Sequence, residues 1–181
     1  MTGAHHTSVK INEERARRWL SEAEGYLELG LLAPAMERLR LAESSGHCPF
    51  ECALLHGGWH REKNDYLAAI PFFEKALKVR PGDIPATVGL GWSLKRVGKV
   101  ELAAEAYEQA LKHHPKEGLL HYNLACYRSL MNQSKEALRA LDKALKIDNQ
   151  FRELARHEED FAFIRDLPQF QKVLGKEQVE D

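Results

Sequence analysis

One spacing limits what this chain can fold into: a set of small and large apolar residues returns every 34 positions. Ala35, Ala69, Ala103 and Ala137 form one series, and Ala42, Ala76, Ala110 and Ala144 form another. Between the two stands a larger residue each time: Leu39, Phe73, Tyr107 or Leu141. Upstream, a small residue recurs at Ala23, Gly57, Gly91 and Ala125, and a turn former at Gly30, Asn64, Gly98 and Asn132. Apolar residues three and four apart on each side of the turn describe two amphipathic helices. Glycine and asparagine tolerate the left-handed backbone that a tight turn between helices needs. A period of this length marks stacked units, none of which can bury its apolar face alone.

The clearest unit runs from Ile84 to Glu117. Leu90, Gly91 and Leu94 occupy its first helical run, Ala103, Tyr107 and Ala110 its second, and Pro115 closes it. Small residues sit where helix backbones approach, large ones fill the space between, and a proline without an N–H ends the helix. The segment resembles a tetratricopeptide repeat (TPR), a 34-residue helix–turn–helix unit. The resemblance implies an all-α fold, a right-handed superhelical solenoid of antiparallel helix pairs, with units at 16–49, 50–83, 84–117 and 118–151. Asn12 is the expected N-cap of the first helix, with residues 1–11 a polar, disordered tail before it. Pro71, inside the second helix of its unit, predicts a bent or late-starting helix. Residues 152–175 depart from the period and resemble the capping segment that ends many bacterial-type TPR proteins, through Arg165-Asp166-x-Pro168-x-Phe170. Phe161, Ile164, Phe170 and Leu174 are placed to cover the open end of the stack, and 176–181 form a charged, frayed tail.

Composition removes several function classes. The formal net charge is −1 with both signs interspersed, which argues against a nucleic-acid partner. No run approaches the roughly 20 apolar residues that cross a bilayer, so membrane insertion is not expected. The N-terminus carries no apolar signal core, and the three cysteines are too sparse for a disulfide framework, so the default compartment is cytoplasmic. No nucleophile elbow, zinc-protease motif or phosphate-binding glycine loop occurs, and Gly89 and Gly91 read as close-packing positions. The chain is therefore expected to be no enzyme and to need no cofactor. His47, Cys48, Cys52, His56 and His60 carry metal-ligand chemistry. On a helix, however, Cys52 and His60 lie about 12 Å apart, too far to share one ion. An i, i+4 pair such as His56 with His60, or Cys52 with His56, could share an ion only with a third ligand from another helix or chain, so a metal sensor built on His56 and His60 is a further alternative. The expectation is no metal, with His56 and His60 at apolar packing positions, where their ring nitrogens need partners.

The resemblance also implies a site. First-helix residues of stacked TPR units line a concave groove, here Leu20 and Glu24 in the first unit and Leu54, Leu55, Gly58 and Arg61 in the second. Val88, Trp92, Lys95 and Arg96 follow in the third, then Tyr122, Asn123 and Cys126 in the fourth. Arg17, Ser21, Leu27, Glu28, Glu51 and Glu62 fall at equivalent positions. The Lys and Asn pattern that clamps a C-terminal carboxylate in chaperone-binding TPR domains is missing, since its first members fall on Leu20 and Glu24. Leu54, Leu55, Val88, Trp92 and Tyr122 suit an amphipathic helix or extended peptide of another protein, with Arg61, Lys95, Arg96 and Asn123 setting its register. Two other readings use the same surface: a dedicated chaperone for a secreted or assembling client, and a self-associating scaffold.

Overall fold

The computed structural model describes residues 2–175, with side chains from residue 12 onward. Its helices are α1 (Thr2–Glu28), α2 (Leu32–Ser44), α3 (Pro49–Glu62), α4 (Tyr66–Val79), α5 (Ile84–Arg96), α6 (Val100–His113), α7 (Gly118–Leu130), α8 (Ser134–Ile147), α9 (Phe151–His157) and α10 (Pro168–Leu174). A 3-10 turn, Glu159–Phe161, joins α9 to the last segment. No strand occurs among the described residues, and none of their helices is long and apolar enough to cross a membrane. The helices divide between two compact units, Met1–Val97 and Gly98–Asp181.

In the first unit α1 pairs with α2 and α3 with α4, while α5 packs on α4 and α3. The turns inside the two hairpins place Gly30 and Asn64 at φ +70° and +59°. Gly98 and Asn132, one period further on each time, take +77° and +58°. The 34-residue series of turn formers is thus a series of left-handed backbone positions. Asp65 caps α4 by accepting from the Ala68 amide (3.3 Å), and Asp83 caps α5 by accepting from the Ala86 amide (2.9 Å). Ala23, Leu39, Ala42 and Cys52 meet in one buried cluster; Phe50, Ala53, Ala76 and Ala86 form a second. Between α3 and α5 the Phe73 ring edge enters a notch made by Gly57 and Gly89, where any side chain would collide with it.

One local expectation changes and another is narrowed. The first helix begins at Thr2, not at Asn12, so Asn12 lies within α1 and caps nothing. Pro71 neither delays nor ends α4, which starts at Tyr66 and continues to Val79. The proline costs the one amide that would reach the Leu67 carbonyl, and burial of Ala69, Ile70, Phe73 and Ala76 on the same helix offsets that loss. The tail at 176–181 lies outside the described residues.

In the second unit α6 packs on α7, and α7 pairs with α8. The Tyr107 and Tyr127 rings meet at 5.3 Å, and burial pushes both phenols well above their ordinary pKa. The segment after α8 then folds back. Phe161, Ile164, Phe170 and Leu174 are all buried, with α10 against α8 and the 3-10 turn against α7. The Arg165 guanidinium ties this segment down by donating to the Glu158 carbonyl at 2.7 Å. Burying a phenylalanine contributes roughly 1.5–3 kcal/mol, so two fully buried rings at 161 and 170 make the segment an integral part of the unit.

Candidate partner-binding groove

Within the first unit, α1, α3 and α5 expose a run of adjoining clefts. The first, about 250 Å³, is lined by Arg17, Leu20, Ser21 and Glu24 of α1, by Glu51, Leu54 and Leu55 of α3, and by Cys48. A second, about 270 Å³, shares Glu24, Leu54 and Leu55 and continues over Leu27, Glu28, Gly58, Arg61, Glu62, Phe73 and Pro85. A third, about 410 Å³, shares Arg61 and Glu62 and runs past Asn64 and Tyr66 to Val88 and Trp92. Leu54 and Leu55 are half-buried and form the common floor of the first two. Helix geometry explains the alignment: residues three and four apart share one face, so Leu54, Leu55, Gly58 and Arg61 line up on α3 and Val88 and Trp92 on α5. Gly58 keeps the floor low, since a Cβ there would meet only Leu27 Cδ1 at 4.0 Å.

The expected cations are already engaged. Arg61 pairs with its neighbour Glu62 at 3.1 Å. The Arg96 guanidinium carbon lies 5.1 Å from the centre of the Tyr66 ring and 6.0 Å from that of Trp92, so it rests on aromatic faces. Lys95 is half-buried. Trp92 remains 44% exposed, the largest apolar side chain open to solvent on this face.

Three of the expected groove residues are almost wholly buried. Leu20 is 5% exposed and belongs to the core cluster with Leu39 and Cys52, because α2 and α3 close over it. In the second unit Tyr122 is 6% exposed and Cys126 is buried as well. Phe151 of α9 stacks on the Tyr122 ring at 4.9 Å, and Phe161 meets it edge-on at 5.8 Å. The expectation of an open, apolar Tyr122 is therefore corrected: the chain's own C-terminal segment covers it. Asn123 is half-buried and donates its amide to the Leu119 carbonyl of its own helix at 2.9 Å.

The histidine and cysteine cluster resolves into packing. Phe72 stacks on His56 at 5.0 Å and on His60 at 5.2 Å. Each imidazole faces a different carboxylate, His56 Nε2 beside Glu43 and His60 Nδ1 beside Asp65, both at 3.5 Å. Burial, opposed by Glu43, holds His56 below its ordinary pKa. The Cys52 thiol is pushed up to about 11, chiefly by burial, which keeps it protonated and unreactive at neutral pH. Among the described residues no three His, Cys, Asp or Glu side chains converge as metal ligands would.

Comparison with known proteins agrees with this architecture. Models of the family described as tetratricopeptide repeat match residues 56–83 and 106–139. Superkiller protein 3 of Saccharomyces cerevisiae is 27% identical over 107 residues, which cover 59% of this chain and 7% of that protein. A solved structure of MamA from Desulfovibrio magneticus is similar in fold, with a TM-score of 0.69 and 21% identity over 88% of this chain and 93% of that one. YrrB, whose structure is described as a TPR protein with an unusual peptide-binding site, gives a TM-score of 0.63 and 19% identity over 74% of this chain and 69% of its own. The helix hairpins, the left-handed turns one period apart and the two family matches converge: the chain carries tetratricopeptide repeats, matched at residues 56–83 and 106–139.

Proposed function

We propose that the chain is a non-catalytic protein-interaction module, and that the α1, α3 and α5 face of its first unit seats a peptide or helix of another protein. The observation that carries this reading is the shared apolar floor of Leu54 and Leu55, joined through Arg61 and Glu62 to the cleft that ends at the exposed Trp92. A groove with a low apolar floor, charged walls and an aromatic end is how helical and extended segments are held. Tryptophan is the residue type that most often dominates such binding energies. The peptide-binding site named for the YrrB structure supports a peptide as the kind of occupant. No cofactor or metal enters this reading.

Affinity capture tests it. Wild type, Trp92→Glu and, as a control, Phe163→Glu in the second unit are used as baits; Phe163 is 64% exposed and lies outside the groove. Loss of one specific partner with Trp92→Glu, its retention with Phe163→Glu, and unchanged helicity in both locate the site. Equal capture by all three baits would refute it.

A further inference from the structure

The walls of the groove are acidic where the sequence alone suggests cationic control. The first two clefts present four carboxylates, Glu24, Glu28, Glu51 and Glu62, against two guanidinium groups, Arg17 and Arg61. Both guanidinium groups are spoken for: Arg17 pairs with Glu13 at 2.8 Å and Arg61 with Glu62 at 3.1 Å. Glu51 has its own partner in Arg80. That leaves Glu24 and Glu28, exposed and one helical turn apart on α1, in no ion pair among the described residues. Like charges four apart on a helix repel. The chain as a whole is close to neutral, at −1, so this is a local imbalance rather than a reflection of overall charge.

We infer that the occupant of the groove is a cationic amphipathic segment of a partner protein, its apolar side chains on Leu54, Leu55 and Gly58 and its Lys or Arg residues against Glu24 and Glu28. The inference rests on the groove reading and adds the sign of the partner's charge. Cations lying along α1 relieve the Glu24–Glu28 repulsion, and the apolar floor rejects a segment that is merely basic. Exposed ion pairs add modestly to affinity, raise the association rate and weaken with salt. Two such pairs correspond to about a three- to tenfold change in Kd.

The test uses two fluorescein-labelled 18-residue amphipathic peptides with the same Leu face, one carrying Lys and the other Glu on the polar face, read by fluorescence anisotropy. The Lys peptide is expected to bind at least tenfold tighter than the Glu peptide, and to weaken as NaCl rises from 50 to 500 mM. Glu24→Gln combined with Glu28→Gln, near-isosteric changes at exposed positions, is expected to weaken the Lys peptide about three- to tenfold and leave the Glu peptide no weaker. Leu54→Asp is expected to abolish binding of the Lys peptide. If Leu54→Asp abolishes binding but the paired Gln changes do nothing, or if both peptides bind equally, the charge inference falls and the groove reading stands. A Lys peptide that binds but ignores both sets of variants, or that fails to bind at high micromolar protein, overturns both. A dimer in sedimentation velocity that Leu54→Asp dissolves would show a second copy of the chain in the groove, and would equally overturn the proposal.

Discussion

Replacing Gly89 by alanine adds one methyl group to α5 where the structure has no space for it. A Cβ built at Gly89 lies 2.4 Å from Cε1 and Cζ of Phe73, about 1 Å inside ordinary van der Waals contact. Phe73 is 1% exposed, and the same ring edge sits 2.8 Å from a Cβ built at Gly57, so the ring has little freedom to turn away. Alanine in a helix interior is better than glycine by about 0.8–1 kcal/mol. Overpacking a tight core costs roughly 1–3 kcal/mol, and an overlap this deep against a buried aromatic belongs at the upper end. The net expectation is destabilisation of about 1–2 kcal/mol, or a melting temperature lower by about 2–8 °C in a chain of this length. Gly58→Ala supplies the control on the neighbouring face. Its Cβ meets nothing nearer than Leu27 Cδ1 at 4.0 Å, so the helix-propensity gain is kept and the melting temperature rises by about 2–4 °C. Thermal unfolding followed by circular dichroism reads both. A Gly89→Ala protein as stable as wild type, or no gap between the two variants, would refute the close packing of Phe73 in the Gly57 and Gly89 notch.

Phe161→Ala removes a fully buried ring that also covers Tyr122, and should cost about 3–5 kcal/mol in denaturant unfolding; a loss under 1 kcal/mol would mean that the C-terminal segment is a loose appendage. His56 is held below its ordinary pKa, chiefly by burial and against the opposing pull of Glu43. The unfolded chain therefore binds this proton more tightly, and stability is lost as pH falls from about 6.5 towards the depressed value. His56→Leu should flatten the drop in melting temperature between pH 7.5 and 5.5; identical slopes in wild type and variant would assign the acid sensitivity elsewhere.

Local features were the readable ones. The residues at Gly30, Asn64, Gly98 and Asn132 announce left-handed turns because glycine and asparagine are the residues that take them cheaply, and all four do so. The alanine series and the Gly57 and Gly89 notch were legible for a similar reason: only a small residue tolerates a neighbouring helix at that distance. What escaped the sequence was decided by contacts far apart in the chain. Tyr122 carries the groove pattern, yet Phe151 and Phe161, 29 and 39 positions later, close over it. Leu20 reads as a groove residue by its position in the unit, but α2 and α3 bury it. Arg96 reads as a free cation until its neighbours Tyr66 and Trp92 are seen beneath it. Glu24 and Glu28 were visible as groove positions; that they stand in no ion pair among the described residues is a matter of three-dimensional pairing, which no spacing rule reports.

The most direct measurement places a photo-crosslinking amino acid at one of two exposed positions, 21 on α1 beside the first cleft or 75 on α4. Each protein is irradiated with the partner captured by wild type. Crosslinking from position 21 and none from position 75 is the result expected if the α1, α3 and α5 face holds the partner. Crosslinking from 75 with none from 21 would contradict it.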